Sequence, residues 1–509
     1  MTSMTGIAEV LSVLLLLLLF KVCLFMQNWT DSRNLVRLQY IYRLWFHPLA
    51  RYPGPLLARA SRIWSASAAR KLRKAQAVQD AHQRYGPVVR IAPDELSFAD
   101  PSTLKAIYGH GSRLPKTEFY TGGKFTEVDN VFSMRDIHQH SGRRAVMAPV
   151  FSHRFVASYV PAMYEKLSQT FNMMATLSAN GTKPVDVYHW VHNFALDVVF
   201  HFTLNHESGT LKTGKPHAVI RDLEDFQSVF AWTALFPPLR NLGRFVPIQA
   251  VKRPFISLHK WIHFCLDIVA RERTTDMKAS FVSRLLENED AYLERKLNDL
   301  EVAEELIGIM FAGSGTAANT ISFLIWAVLE NPPIREKLVA ELERQVPPGI
   351  IPMYEVVNKL PYLNAVIMET LRRWPTIPGL QPRRVVGKEL VVGDYIIPAG
   401  TVVGCQNYTV HLDPVTFPEP EIFDPERWLQ PDTSAQHAAF NGFGTGPRAC
   451  IGRNLALIEL QLFTAAFFLR FDARVADTLE EKDMELTDGF SGGPAGKSLP
   501  LYLVERSKT

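Results

Sequence analysis

The stretch Phe443-Gly444-Thr445-Gly446-Pro447-Arg448-Ala449-Cys450-Ile451-Gly452 decides how the rest of this chain is read. It lies between a polar loop and an apolar segment at 454–469 whose spacing predicts a helix. A cysteine just ahead of a helix meets free backbone N–H groups and the positive end of the helix dipole, and both favour the ionised sulfur. Gly444, Gly446 and Gly452 carry no side chain, so the backbone around Cys450 can come close to a flat macrocycle. Arg448 offers a cation two residues away, and Phe443 can pack beside the sulfur and shield it. A lone cysteine reads first as a small buried hydrophobe. Here the sulfur comes with glycines, a cation and an aromatic ring, and the set points to a metal-binding thiolate.

The other cysteines, Cys23, Cys265 and Cys405, are far apart and form no CxxC pair. That argues against a disulfide framework and a structural zinc site, and suits a reducing compartment. With 509 residues, 47% of them hydrophobic and 21% charged, the chain can bury a large core. A net charge of +4 and the lack of any long Lys/Arg run give no sign of a nucleic-acid partner. Arg70, Lys71, Arg73 and Lys74 form a local basic face that reads as a solvated helix surface.

The amino terminus has an apolar run at 7–26 that includes Leu14 through Leu19. About 20 such residues cross a bilayer. Arg33, Arg37 and Arg43 follow the run, so the positive-inside rule leaves the body in the cytosol. We therefore expect a membrane anchor at 1–28, a Pro-rich hinge at 29–57 and one catalytic domain at 58–509. The hinge contains Phe46-His47-Pro48-Leu49 and Pro53-Gly54-Pro55, where proline favours extended backbone. Sequons at Asn28, Asn180 and Asn407 would face the cytosol and stay unmodified. In the body, helical spacing is expected at 58–84, a strand at 88–91 and a long loop at 109–132. Helices are expected over most of 141–346, broken near 205–216 and at Pro237-Pro238. Gly393-Asp394 between two short β-rich runs predicts a hairpin. The fold class is mainly α with a small β portion.

The Cys450 segment matches the pattern Phe-x-x-Gly-x-Arg-x-Cys-x-Gly, and here the chain resembles the cytochrome P-450 family of haem-thiolate monooxygenases. The likeness extends along nearly the whole chain in order. Glu369-Thr370-Leu371-Arg372 is similar to the family's Glu-x-x-Arg motif, and Phe423-Asp424-Pro425-Glu426-Arg427-Trp428 follows where the family has its third charge. The resemblance implies a structural triad of Glu369, Arg372 and Arg427. An apolar helix at 302–329 carries Ala312-Gly313-Ser314-Gly315-Thr316 and resembles the family's central helix. Its glycines and serine thin the helix and favour bending. Thr316 is then the catalytic hydroxyl, whereas a mid-helix threonine ordinarily bonds its own helix. Gly315 stands where the family usually has an acid, so proton delivery needs water, Ser314 or another group.

The resemblance further implies haem b, with Cys450 as axial ligand and Phe443, Gly446, Gly452 and Ala312 beside the cofactor. His140, Arg144, Arg383 and Arg448 would hold its propionates. The hinge resembles that of fungal microsomal members, which implies an endoplasmic reticulum membrane. No dinucleotide fingerprint and no fused flavin domain is visible, so electrons would come from a separate NADPH-dependent reductase. The substrates are O2 and a lipophilic molecule such as a terpenoid, polyketide or alkaloid intermediate of secondary metabolism. By position, Phe119, Phe125, Phe311, Ala312 and residues near Pro378 line its pocket. Three other readings stay open: a haem-thiolate isomerase or dehydratase, a haem sensor, and a scaffold without haem.

Overall fold

The computed structural model describes residues 32–213, 243–274 and 280–506. The apolar run at 7–26, the Asn28 sequon and Pro237-Pro238 lie outside these residues. Apolar side chains three and four apart bury one stripe of each helix, and the helices close around a common core. Those that frame the site are α1 (Lys74–Tyr85), α2 (Ile137–Met147), α3 (Val160–Ser178), α4 (Val187–Leu204) and α5 (Gln249–Arg273). They are followed by α6 (Asp299–Leu329), α7 (Pro361–Arg373) and α8 (Arg453–Arg470).

Helix α6 runs through the middle, with α4, α5, α7 and α8 packed against it. It starts at a capping box in which the Asn298 side chain accepts from the Glu301 N–H and the Glu301 side chain accepts from the Asn298 N–H. It is long and apolar enough to cross a membrane, yet Ala303, Leu306, Ile307, Met310, Ile321 and Leu324 are fully buried in the body. A helix apolar on all sides is here the axis of a core.

The small sheet has the order β1-β2-β6-β3, from β1 (Val88–Ala92), β2 (Glu95–Phe98), β3 (Arg383–Arg384) and β6 (Val402–Cys405). Pairing is antiparallel between β1 and β2, parallel between β2 and β6, and antiparallel between β6 and β3. Strands β4 (Leu390–Val392) and β5 (Tyr395–Ile397) form a separate hairpin turned by Gly393 at φ 55°. Residues 109–132 are largely irregular around a 3₁₀ turn at Glu118–Gly123.

The structure differs from the sequence expectation in three places. The helical stretch at 58–84 is three pieces, Leu56–Ala60, Ile63–Arg70 and α1. Ser61 is extended and Leu72 takes a left-handed φ of 54°, which side-chain spacing does not reveal. Short extended pairs interrupt 141–346. Val185–Asp186 joins the carboxy-terminal strands, and Glu289–Asp290 pairs with Arg295–Lys296. Two-residue strands leave no alternation to read. Finally, part of the Pro-rich segment packs onto the body. Leu49 and Tyr52 are buried, and a Cβ at Gly54 would sit 2.3 Å from the Arg90 carbonyl oxygen.

Candidate active site

Cys450 sits on a tight loop that leads into α8. The Gly446–Arg448 turn precedes it, its N–H donates to the Phe443 carbonyl at 2.7 Å, and Gly452 is the N-cap of α8. Gly446 has φ 73°, and a Cβ there would lie 2.0 Å from the Tyr108 carbonyl oxygen. Only glycine fits that approach. The three described cysteines differ in access. Cys265 and Cys405 are enclosed, and burial pushes the Cys405 thiol up to about 12. The Cys450 thiol lies deep in the chain yet borders open space. Burial raises its pKa, while the Gly452 N–H, Arg144 and Arg453 pull in the anionic direction.

Cations gather around this loop. Arg144, one turn after His140 on α2, donates to the Ala449 carbonyl at 2.8 Å. Arg448 donates to the carbonyls of Met134, Arg135 and Asp136. Arg383 on β3 donates to the Tyr120 hydroxyl at 2.8 Å. Lys116, which sequence reasoning missed, donates to the Phe132 carbonyl and lies over the rings of Tyr120 and Phe132. None of the four makes an ion pair among the described residues. Burial and the neighbouring arginines hold Lys116 well below the usual ammonium range, and burial with Arg383 brings Arg448 down to about 10. The same burial and cations push His140 down to about 2, so its imidazole is neutral at neutral pH. A buried cluster of like charges without a counter-charge is costly and calls for an anionic partner.

On α6, Ala312 is exposed, Thr316 is half-buried, and a Cβ at Gly315 would meet nothing within 4 Å. This face borders open space although the helix is central. The Thr316 hydroxyl donates to the Ala312 carbonyl at 2.9 Å. The helix stays α-helical throughout, without a 3₁₀ or π interruption at its glycines. Gly313 serves another purpose, because a Cβ there would lie 2.8 Å from Val199 on α4. Phe311, next to Ala312 on the helix, is half-buried. Phe125 packs on Phe311 at 5.3 Å between centroids, and Phe490 lies between Phe119 and Phe132 at 5.9 and 5.6 Å.

Glu369, Arg372 and Arg427 are buried together. Arg372 donates both Nε and a terminal N–H to Glu369 at 2.8 Å, and Arg427 Nε donates to it at 3.0 Å. Trp428 Nε1 and the Asp424 N–H also donate to Glu369. The spare Arg372 N–H groups reach the carbonyls of His411, Pro420 and Ile422. These bonds satisfy the buried charges where they stand.

The sequence pattern of the cytochrome P450 family matches residues 55–500. The chain belongs to the cytochrome P450 family. A cytochrome P450 monooxygenase of Aspergillus terreus is 32% identical over 448 residues, covering 86% of this chain and 90% of the relative. One of Penicillium roqueforti is 31% identical over 454 residues and covers 86% of each. A benzoate 4-monooxygenase of Aspergillus niger is 28% identical over 475 residues, with 87% of this chain and 91% of the relative covered. This P450 is a monooxygenase, and its family implies a haem-iron cofactor. The donor set fits such a group: Cys450 is the accessible thiol among the described residues, and Arg144, Arg383, Arg448 and Lys116 form no ion pair among them.

Proposed function

We propose that this P450 inserts one atom of O2 into a lipophilic small molecule of secondary metabolism, using haem b ligated by Cys450. The observation that carries this reading is the accessible Cys450 thiol together with a cation cluster that forms no ion pair among the described residues. Arg144, Arg383, Arg448 and Lys116 supply the charges for two propionates, and neutral His140 supplies a hydrogen bond. When bound, haem activates O2 so that one oxygen atom enters the substrate and the other leaves as water, with two electrons from NADPH. Phe443 shields the sulfur. In this reading the open face at Ala312, Gly315 and Thr316 gives room for O2 and substrate, and half-buried Phe311 on the same stretch of helix favours an apolar ligand. Thr316 moves a proton there once its hydroxyl turns from the Ala312 carbonyl, and water replaces the acid missing at Gly315. Glu369, Arg372 and Arg427 lock the core behind the site.

In this reading residues 1–28 anchor the chain in the endoplasmic reticulum with the body at 58–509 in the cytosol, and a separate NADPH-dependent reductase on the same membrane supplies electrons. The ligand assignment is tested by reducing the purified protein under carbon monoxide. The wild type is expected to show the red-shifted Soret band of thiolate ligation. Cys450→Ala should lose it and Cys405→Ala should keep it. The reverse pattern would remove Cys450 from the site.

A further inference from the structure

Two adjacent acids on α6 hold the irregular segment that precedes α2. Glu304 is fully buried, and both of its oxygens accept hydrogen bonds from that segment. The Phe125 N–H donates to Oε1 at 2.8 Å, the Thr126 N–H to Oε2 at 2.7 Å, and Asn130 Nδ2 to Oε1 at 2.7 Å. Glu305 accepts from the Val131 N–H at 2.9 Å and from Arg143 at 2.7 Å. Arg143 is shared with Asp290 at 3.2 Å, so the nearest cation belongs to the second acid and the first relies on amides. Desolvation raises the pKa of Glu304, and the same amide donors pull it back towards the anion. An apolar side chain would hold a loop to a helix at less cost than a buried carboxylate. What the carboxylate adds is placement, because three donors in fixed directions determine where the segment sits.

The placement matters because of what else shares this side of α6. Residues 304, 308, 311, 312, 315 and 316 recur every three to four positions and so lie along one face. A Cβ at Gly308 would meet Asn130 at 3.4 Å, so the segment comes down close to the helix. One turn on, Phe125 of the same segment packs on Phe311, beside Ala312 and the open face. We propose that Glu304 is a positioning residue for substrate selection: it fixes segment 123–131 so that buried Phe125 backs half-buried Phe311, and Phe311 forms one wall of the substrate pocket. The proposal rests on the reading that this face and Cys450 enclose the haem site.

Glutamine at 304 is close in shape but carries an NH2 group. Whichever way the amide flips, a donor faces a donor from the segment. The test uses the haem-loaded full chain titrated with two iron ligands, imidazole and 4-phenylimidazole, each followed by the Soret shift. Imidazole needs only the iron, whereas the phenyl ring also needs the wall. Glu304→Gln is expected to weaken 4-phenylimidazole about tenfold, the loss set by one charge-assisted hydrogen bond. Imidazole affinity and the carbon monoxide band stay as in the wild type. Trypsin is expected to cut after Lys124 faster in the variant. A merely structural role would lower thermal stability and leave the ratio of the two affinities unchanged, and that result would overturn the proposal. Where Glu304→Gln gives no haem-loaded protein, Asn130→Ser removes one of the three donors, and the same ratio decides. A wild type that never shows a thiolate spectrum would instead sink the underlying haem assignment.

Discussion

His411 shows how a single residue joins the charge triad to the Cys450 loop. Its Nδ1 donates to the Arg372 carbonyl at 3.2 Å, and its Nε2 accepts from the Asn441 N–H at 2.9 Å. A carbonyl can only accept and an amide N–H can only donate, so the partners fix the neutral tautomer. The ring stacks on Phe440, and Asn441 in turn accepts from the Thr445 hydroxyl. Burial and the Arg372 charge push the His411 pKa down to about 3. The sign follows directly. Between about pH 6.5 and 3 the unfolded chain binds a proton here that the folded chain refuses, so stability falls as the pH drops through this window. Each pH unit in it is worth about 1.4 kcal/mol, so taking wild type from pH 7 to pH 5 should cost about 2 kcal/mol more than the same change costs His411→Gln. Urea melts at the two pH values measure the difference, and equal losses would show that His411 does not titrate on unfolding. Glu369 and Arg372 were legible in the sequence because three residues of spacing put them on one helix face. His411 was not, because its role comes from contacts 30 and 39 residues away that no local pattern encodes.

At the scale of the element, α6 was legible in outline and not in detail. Its apolar length marked it as central, and the Ala312-Gly313-Ser314-Gly315-Thr316 run marked its special turn. Sequence reasoning treated both glycines as one device that thins and bends the helix. The structure separates them. Gly313 lets α4 approach, since a Cβ would press on Val199 at 2.8 Å, whereas Gly315 faces open space. The two alanine substitutions should therefore diverge. Gly313→Ala is expected to overpack the α4–α6 contact at a cost of about 1–3 kcal/mol and to lower the melting temperature. Gly315→Ala gains up to about 1 kcal/mol of helix propensity and should melt at or above the wild-type temperature, while the added methyl narrows the space beside Thr316. Thermal melts of the two haem-loaded variants separate them, and a shared loss of stability would return both glycines to a single structural role. The buried acids at the front of the helix were invisible at this scale. Glu304 and Glu305 look like ordinary polar positions until the 123–131 segment is seen to donate to them.

Across the whole molecule, the order of motifs along the chain carried the fold class, because each motif has a fixed place around one central helix. Arg144, Arg383 and Arg448 were named from the resemblance, but Lys116 did not show, since it lies far from Arg383 in sequence and meets it through a single backbone bridge, with Tyr120 against both. The expected boundary after residue 57 rests on the proline run, and from the packing we propose that the body begins earlier. The Arg90 N–H donates to the Pro53 carbonyl at 2.8 Å, and the Arg90 guanidinium donates to the Pro93 and Arg43 carbonyls. Arg59 reaches back to the carbonyls of Leu44 and Ala50. Leu49 and Tyr52 are buried against this corner of the sheet. Two truncations follow. Removing residues 1–28 takes away the apolar run and none of these contacts, so the protein should leave the membrane pellet and keep its haem content, carbon monoxide band and melting temperature. Removing residues 1–55 strips out two large buried side chains, worth about 3–5 kcal/mol together, and leaves the Arg90 N–H without its acceptor. That chain should melt markedly lower or fail to retain haem. If the longer truncation melts with the wild type, residues 47–55 are a spacer that merely rests on the body. If the shorter one still pellets in full, the membrane contact lies elsewhere, and the exposed rings of Trp45 and Phe46, 66% and 72% accessible, are the first place to substitute.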